Sequence, residues 1–361
     1  MAGYACWYSD AYGNRIAPLR FKSLNYARVV NEPGSLSITV PLNTLRTDQI
    51  VPDARVEVWR KSRKGKTYLE TDTIWLTTGW EESYEKEPML TINAESANTI
   101  YDRRIVAYSS SSAQGHKVGA ADLLMYEIIN ENLSAGATDV LRRISSTYFS
   151  IEFGQIVSAP TLDLSLDRKY VRDALNEIVN ACAQEGIFVF YDIIYTPTGL
   201  RTIIKTGCRG VDRRGDGVKF SSQHGNLVKL KIKTDYTDEK NFVYVMGQGQ
   251  GTTRTVTPVS NDDSISASPF ARKETTADNN TSSPSGATSR GNAVLRDSSP
   301  KTIIEAEIKD TPLASYGDDW GFGDIIRLKA GRRNFDAWVN AISVKAEAGK
   351  ESISATLKSY I

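Results

Sequence analysis

Two stretches of this chain alternate apolar and polar residues at period two and share one order of parts. The first, 53–96, reads DARVEVWRKSRKGKTYLETDTIWLTTGWEESYEKEPMLTINAES, and the second, 324–360, reads DIIRLKAGRRNFDAWVNAISVKAEAGKESISATLKSY. Such alternation commits a segment to a strand with one buried face, because successive side chains leave a strand on opposite sides. In each stretch an Asp precedes the first strand, a basic turn follows, a second strand carries a Trp, and a last strand comes after a Lys-Glu turn. On this reading Asp53, Val56, Val58 and Trp75 correspond to Asp324, Ile326, Leu328 and Trp338. Two like β-domains in one chain let three copies present six similar faces, which points to assembly before chemistry.

The rest of the chain reads as mainly β with an α+β middle. RFKSLNYARVVNEPGSLSITVPLN, at 20–43, gives two runs about a turn at Glu32-Pro33-Gly34, with Leu36, Ile38 and Val40 on one face. With strands at 56–59, 69–76 and 90–94, residues 1–100 form a small antiparallel sandwich or barrel. Residues 101–225 change character. VGAADLLMYEIINENL at 118–133 places Ala121, Leu124, Met125, Ile128 and Ile129 at helical spacing. Val171, Ala174, Leu175, Ile178, Val179 and Cys182 form a second such stripe, ended by Gly186. IFVFYDIIY and LRTIIKTG then flank Pro197-Thr198-Gly199 as a hairpin. From residue 226 to 361 the strand pattern returns, with Leu230 and Ile232 between lysines on a wet face and the apolar 242–246 more buried. A Ser, Thr, Asn, Asp and Pro-rich segment at about 252–300 reads as a polar insertion in extended form, with a short helix near 287–296.

Composition excludes several roles. The 361 residues carry 44 basic and 43 acidic side chains, a formal charge of +1, so no generally nucleic-acid-binding or membrane-adsorbing surface is expected. Short basic clusters, KSRKGK at 61–66 and GRR at 331–333, read as solvated turns. Three cysteines without a CxxC spacing argue against a zinc ribbon and a disulfide framework, and Cys182 is expected in a core. MAGYACWYSD lacks the pattern of a leader, and no run is long enough for a membrane span.

The search for chemistry is equally short. Only His116 and His224 occur, both beside Gly, with no GxSxG nucleophile and no second ligand at helical spacing. Carboxylate pairs such as Asp262-Asp263, Asp318-Asp319 and those of EESYEKE read as exposed turn acids rather than a glycosidase pair. GQGQG at 247–251 precedes TTRTVTP, a poor helix start for a nucleotide loop, so its glycines are expected to serve a turn. DRRGDG at 212–217 lacks the ligand spacing of a calcium loop. Trp59, Trp75, Trp80 and Trp338 lie in expected strands, where aromatic residues pack cores. No catalytic residue, cofactor site or metal site is therefore assigned, and no enzyme activity is expected.

Four further segments carry a resemblance. They are ESANTIYDRRIVAY, the helix VGAADLLMYEIINENL, GVDRRGDGVKFSSQHGNLVKLKIKTDYTDEKNFVYVMGQGQGTTR, and YGDDWGFGDIIRLKAG. In this order and spacing the chain resembles the central tail-tip, or baseplate hub, proteins of long-tailed bacteriophages. The resemblance implies two tube-like β-barrels, at 1–100 and 226–361, related by internal duplication about an α+β hub domain. It implies a homotrimer whose pseudo-sixfold ring acts as a symmetry adaptor, joining a hexameric tail tube to a threefold tip or fibre. The implied partners are the distal tail protein or tail tube, the tape measure protein and a central fibre or tip protein, with DNA only in transit during ejection. The implied location is the virion tail after synthesis in the host cytoplasm. Because the chain ends after the second module, any enzymatic extension is expected on another protein. Two alternatives stand beside this reading: a tail-associated cell-wall hydrolase, resting on the carboxylates, and a receptor- or glycan-binding tip module, resting on 17 Tyr and 6 Trp.

Overall fold

Eight strands occupy residues 3–96, where apolar side chains recur at alternate positions. They are β1 (Gly3–Ser9), β2 (Arg15–Leu19), β3 (Ser23–Val29), β4 (Ser35–Pro41), β5 (Arg55–Lys61), β6 (Thr67–Leu69), β7 (Trp75–Ser83) and β8 (Met89–Ser96). The alternation selects the buried side: Leu24 and Tyr26 on β3, Leu36, Ile38 and Val40 on β4, and Leu90, Ile92 and Ala94 on β8 share one core. The expected turn at Glu32-Pro33-Gly34 joins β3 to β4. Gly34 is required there by packing, since a Cβ would stand 2.4 Å from the Ala27 carbonyl oxygen. The single strand expected at 69–76 is instead divided. β6 ends at Leu69, a 3-10 turn holds Glu70–Asp72, and β7 starts at Trp75. Thr71 and Asp72 take positive φ values of 53° and 55°, which a strand does not accommodate.

Helices enter after residue 120, where the apolar spacing changes from two to three and four. The elements are β9 (His116–Ala120), α1 (Ala121–Leu133), β10 (Phe149–Ile151), β11 (Thr161–Ser165), α2 (Val171–Gln184), β12 (Val189–Thr196) and β13 (Gly199–Thr206). Both expected helices form, and their stripes are buried: Leu124, Met125, Ile128 and Ile129 on α1, and Val171, Ala174, Leu175, Ile178 and Cys182 on α2. The expected hairpin is β12–β13, closed at Thr196 opposite Gly199, with β10 parallel to β13. β9 and β11 pair separately.

The chain continues through β14 (Lys219–Ser221), β15 (Leu227–Asp235), β16 (Phe242–Met246), β17 (Val256–Ser260), α3 (Asp262–Ser266), β18 (Glu274–Asp278) and α4 (Pro284–Asp297). It ends with β19 (Lys301–Ile308), β20 (Ile325–Ala330), β21 (Arg333–Glu347) and β22 (Lys350–Ser359). This computed structural model describes residues 3–107, 116–152, 156, 158–166, 169–184, 186–217, 219–249, 251–279, 284–308 and 311–359. Two units separate by contact density. One comprises Met1–Cys182, Phe188–Lys231 and Ile304–Ile361, and the other Ala183–Ile187 with Ile232–Ile303.

The second unit corrects the expectation of an extended polar excursion. β16 lies between β17, antiparallel, and β18, parallel, and α4 buries Ala287 and Leu295 in one cluster with Val243, Val245, Val259 and Ala277. The sequence hides this core because its six apolar residues are spread from Val243 to Leu295 through a polar chain. Gly291 allows the helix to approach the sheet, since a Cβ there would stand 2.4 Å from Val259 Cγ2.

One 14-stranded sheet runs in the order β15-β19-β22-β21-β3-β4-β8-β7-β5-β1-β2, with β14 and β20 branching from β21 and β6 from β5. Within it the neighbour order β5-β7-β8-β4-β3 has a counterpart in β20-β21-β22-β19-β15. The backbone bonds at the start of each set also match. Thr77 N donates to Ala54 O at 2.8 Å and Asp53 N to Thr77 O at 3.1 Å. Val339 N donates to Asp324 O at 2.8 Å and Gly323 N to Val339 O at 3.1 Å. A bulge follows each, between Thr77 and Gly79 and between Val339 and Ala341.

These bonds correct the residue matching expected from the sequence. Val56 does correspond to Ile326, since they face Trp75 and Ala337 in equivalent pairs. Trp75 thus corresponds to Ala337, and Leu76 to Trp338. Asp53 corresponds to Gly323, and both take positive φ, 64° and 78°. The shared feature is a left-handed backbone position followed by a bulge, and side-chain identity at Asp and Trp is not part of it.

Candidate functional site

The charged groups that matter most in the first unit lie on strand faces that alternation marks as buried. Arg28 follows Leu24 and Tyr26 in phase along β3, and it is fully buried. Its Nη2 lies 2.6 Å from Asp192 Oδ1, and its Nη1 donates to Ser96 Oγ at 2.5 Å. Arg209 reaches the other carboxylate oxygen, with Nη2 at 2.7 Å and Nε at 3.0 Å. Burial alone would raise the Asp192 carboxyl, but the two guanidinium groups hold it below its usual range. This triad joins β3, β12 and the segment after β13, so it is a device for fixing elements to one another.

A second polar group surrounds Glu70. Its carboxylate accepts from the Tyr316 hydroxyl. Burial pushes it up to about 7, with Tyr316 and Arg60 opposing that rise. Arg60, also fully buried, donates to Glu351 through Nε and Nη2 at 3.1 Å each, to Tyr68 Oη at 2.9 Å and to Tyr316 O at 2.8 Å. The nearby cleft of about 470 Å³ is lined by residues that include Tyr68, Glu70, Arg209, Tyr316, Phe322 and Asp324. A perturbed carboxyl at a cleft is a candidate acid or base. Here the residue is 1% exposed and its partners are structural hydrogen-bond donors, so the arrangement locks strands together.

The residues singled out from sequence do not converge. His116 Nε2 lies 2.6 Å from Asp163 Oδ1 on an exposed edge, and His224 is exposed at the end of a 3-10 turn. Asp318 and Asp319 hold the basic turn instead of each other. Ser62 Oγ donates to Asp318 at 2.8 Å, and Lys64 Nζ lies 2.5 Å from Asp319. Arg213, in the DRRGDG turn, donates to the buried Asp324 at 2.7 Å, while Arg214 pairs with Asp212 at 2.6 Å. Gly249 has a φ of 109°, and a Cβ there would stand 2.7 Å from Thr253 O, in keeping with a turn. Among the described residues no group of three His, Cys, Asp or Glu side chains could hold a metal. No described helix is long and apolar enough to cross a membrane.

Sequence reading missed Arg28, Arg60, Glu70 and Asp192. Arg28 in SLNYARV, Arg60 in RVEVWRK and Asp192 in VFYDIIYT all sit within strand runs, and a charge in phase with buried apolar neighbours was the available signal.

The surface that departs most from a closed fold is a sheet edge. β7 pairs with β8 along its length, but with β5 only at Arg55–Leu76 and Val56–Trp75. Beyond the bulge, Trp80 is 43% exposed. Among the described residues β15, which begins the sheet order, has β19 as its one strand neighbour.

Residues 10–357 match the family described as Siphovirus ReqiPepy6 Gp37-like protein. Among solved structures, the 43 kDa tail protein of prophage MuSo2 from Shewanella oneidensis is similar at TM-score 0.62 and 12% identity, over 99% of this chain and 98% of that one. The tail protein from Neisseria meningitidis MC58 is similar at 0.59 and 11%, over 99% and 96%. The E. coli c3393 protein is similar at 0.51 and 10%, over 96% and 75%. It is a component of the type VI secretion system with structural similarity to the T4 bacteriophage tail proteins gp27 and gp5. At these identities the likeness is one of fold. A search of curated proteins finds no match.

Proposed function

The chain belongs to the Siphovirus ReqiPepy6 Gp37-like protein family, and from that premise we propose that it is a structural subunit of a phage tail tip or baseplate, acting as a trimeric hub. In this role three copies form a pseudo-sixfold ring that joins a sixfold tail tube to a threefold tip or fibre and leaves a passage for DNA. The observation that carries the reading is the recurrence of one five-strand neighbour order, β5-β7-β8-β4-β3 and β20-β21-β22-β19-β15, with the same backbone bonds at its start. Such a chain offers two like modules, related by internal duplication, and three chains offer six.

The similarity in fold to the prophage MuSo2 tail protein and to the Neisseria meningitidis tail protein supports the same reading. So does c3393, whose own described likeness is to gp27 and gp5. The partners proposed are other tail proteins: the tube or distal tail protein above, the tape measure protein, and a fibre or tip protein below. The buried carboxyls of Glu70 and Asp192 are engaged in bonds that fix strands to one another, which supports a role without catalysis. Light scattering and negative-stain images of the purified chain test the proposal. A trimer with six similar lobes is expected, and a monomer at high concentration without rings contradicts it.

A further inference from the structure

The two five-strand sets differ in one respect: the edge that is occupied in one is open in the other. In the second set β21 leaves β20 after residue 338, and its further half is taken by β3, from Ala341 opposite Val29 to Glu347 opposite Ser23. In the first set β7 leaves β5 after Leu76, and no described strand takes the equivalent place. The counterpart of β3 is β15, and among the described residues it lacks the second neighbour that β3 has. We infer that β15 of one copy adds antiparallel to the open edge of β7, residues 79–83, in the next copy of this chain. The inference rests on the hub reading and supplies its subunit interface.

Three observations favour this occupant. By the matched bulges Trp80 corresponds to Ile342, yet Trp80 is 43% exposed whereas Ile342 is 1% exposed. The side that β3 helps cover in one set is therefore bare in the other. β15 brings an apolar side chain of its own, since Ile232 is 38% exposed. The exposed charges on the face away from Trp80 are opposite: β7 carries Glu81, and β15 carries Lys229, Lys231 and Lys233. Lysines on an edge strand ordinarily discourage pairing with a like edge. Against an acidic edge they favour it, and main-chain hydrogen bonds supply the affinity of strand addition. Parity agrees as well, because Trp80 and Ile232 fall on one face and Glu81 and the three lysines on the other.

Cysteine pairs in the full chain test this directly. Glu81→Cys is combined in turn with Lys229→Cys, Lys231→Cys or Lys233→Cys, and each single variant serves as its control. After mild oxidation one of the doubles is expected to give an interchain ladder ending at three chains on a non-reducing gel, while the singles give none. If the wild-type chain assembles but none of the doubles cross-links, the strand pairing is wrong and the hub reading survives. If the wild-type chain is monomeric, the hub reading fails and the inference with it. Trp80→Glu is a second check. It is expected to abolish assembly with an unchanged circular-dichroism spectrum, and undiminished assembly would overturn the inference.

Discussion

Asp192 is the residue on which two buried cations depend, since Arg28 and Arg209 both bond to it and neither is open to water. Replacing it with Asn keeps the shape and removes the counter-charge. Losing one partner of a buried ionic group typically costs about 3–5 kcal/mol. Asp192→Asn should lower the urea midpoint accordingly, and an unchanged midpoint would show that the arginines find other partners. Glu70 makes the opposite kind of prediction. Its folded-state value, about 7, lies above its ordinary 4.5, so folding favours the protonated form. Its contribution is fully present below about pH 4.5 and is lost as pH rises through 7. The rise from 4.5 to about 7 corresponds to a contribution on the order of 3 kcal/mol. Between pH 5 and pH 8 the melting temperature should fall more in the wild type than in Glu70→Gln, which still accepts from Tyr316. Equal slopes in the two proteins would assign the pH dependence to other groups.

At the scale of elements, strands and helices were readable wherever one face is buried, because period and burial coincide. β3, β4 and β8, and the stripes of α1 and α2, are of this kind. The break between β6 and β7 was not readable, because Thr71 and Asp72 carry no glycine to announce their positive φ. Nor was the core of the second unit, whose six buried apolar residues are set in a polar chain. The sequence pairing of Val56 with Ile326 agrees with the strand register, while those of Asp53 with Asp324 and Trp75 with Trp338 are displaced by one residue, because what recurs is a backbone bond pattern. That pattern yields a prediction. Gly323 has a φ of 78°, and a Cβ there would stand 2.7 Å from Arg209 Cδ. Gly323→Ala should therefore cost on the order of 1–3 kcal/mol in chemical unfolding, whereas Asp53→Gly at the matching position should cost far less. Equal effects would remove the correspondence. Ile326→Asp, at a site with no exposure, should prevent folding altogether. Soluble folded protein from that variant would show that the face of β20 has been misread.

For the whole molecule, the likeness in fold to tail proteins and the doubled strand order both favour a part that works by arrangement. Of the two strand sets, one has its sheet edge filled by β3 and the other, among the described residues, has that edge open. In the proposed ring that edge is filled in every copy. The most direct test is the mass of the purified chain in native mass spectrometry at micromolar concentration. The account predicts one species of three chains, with Trp80→Glu shifting it to single chains. A wild-type protein found only as single chains would contradict it.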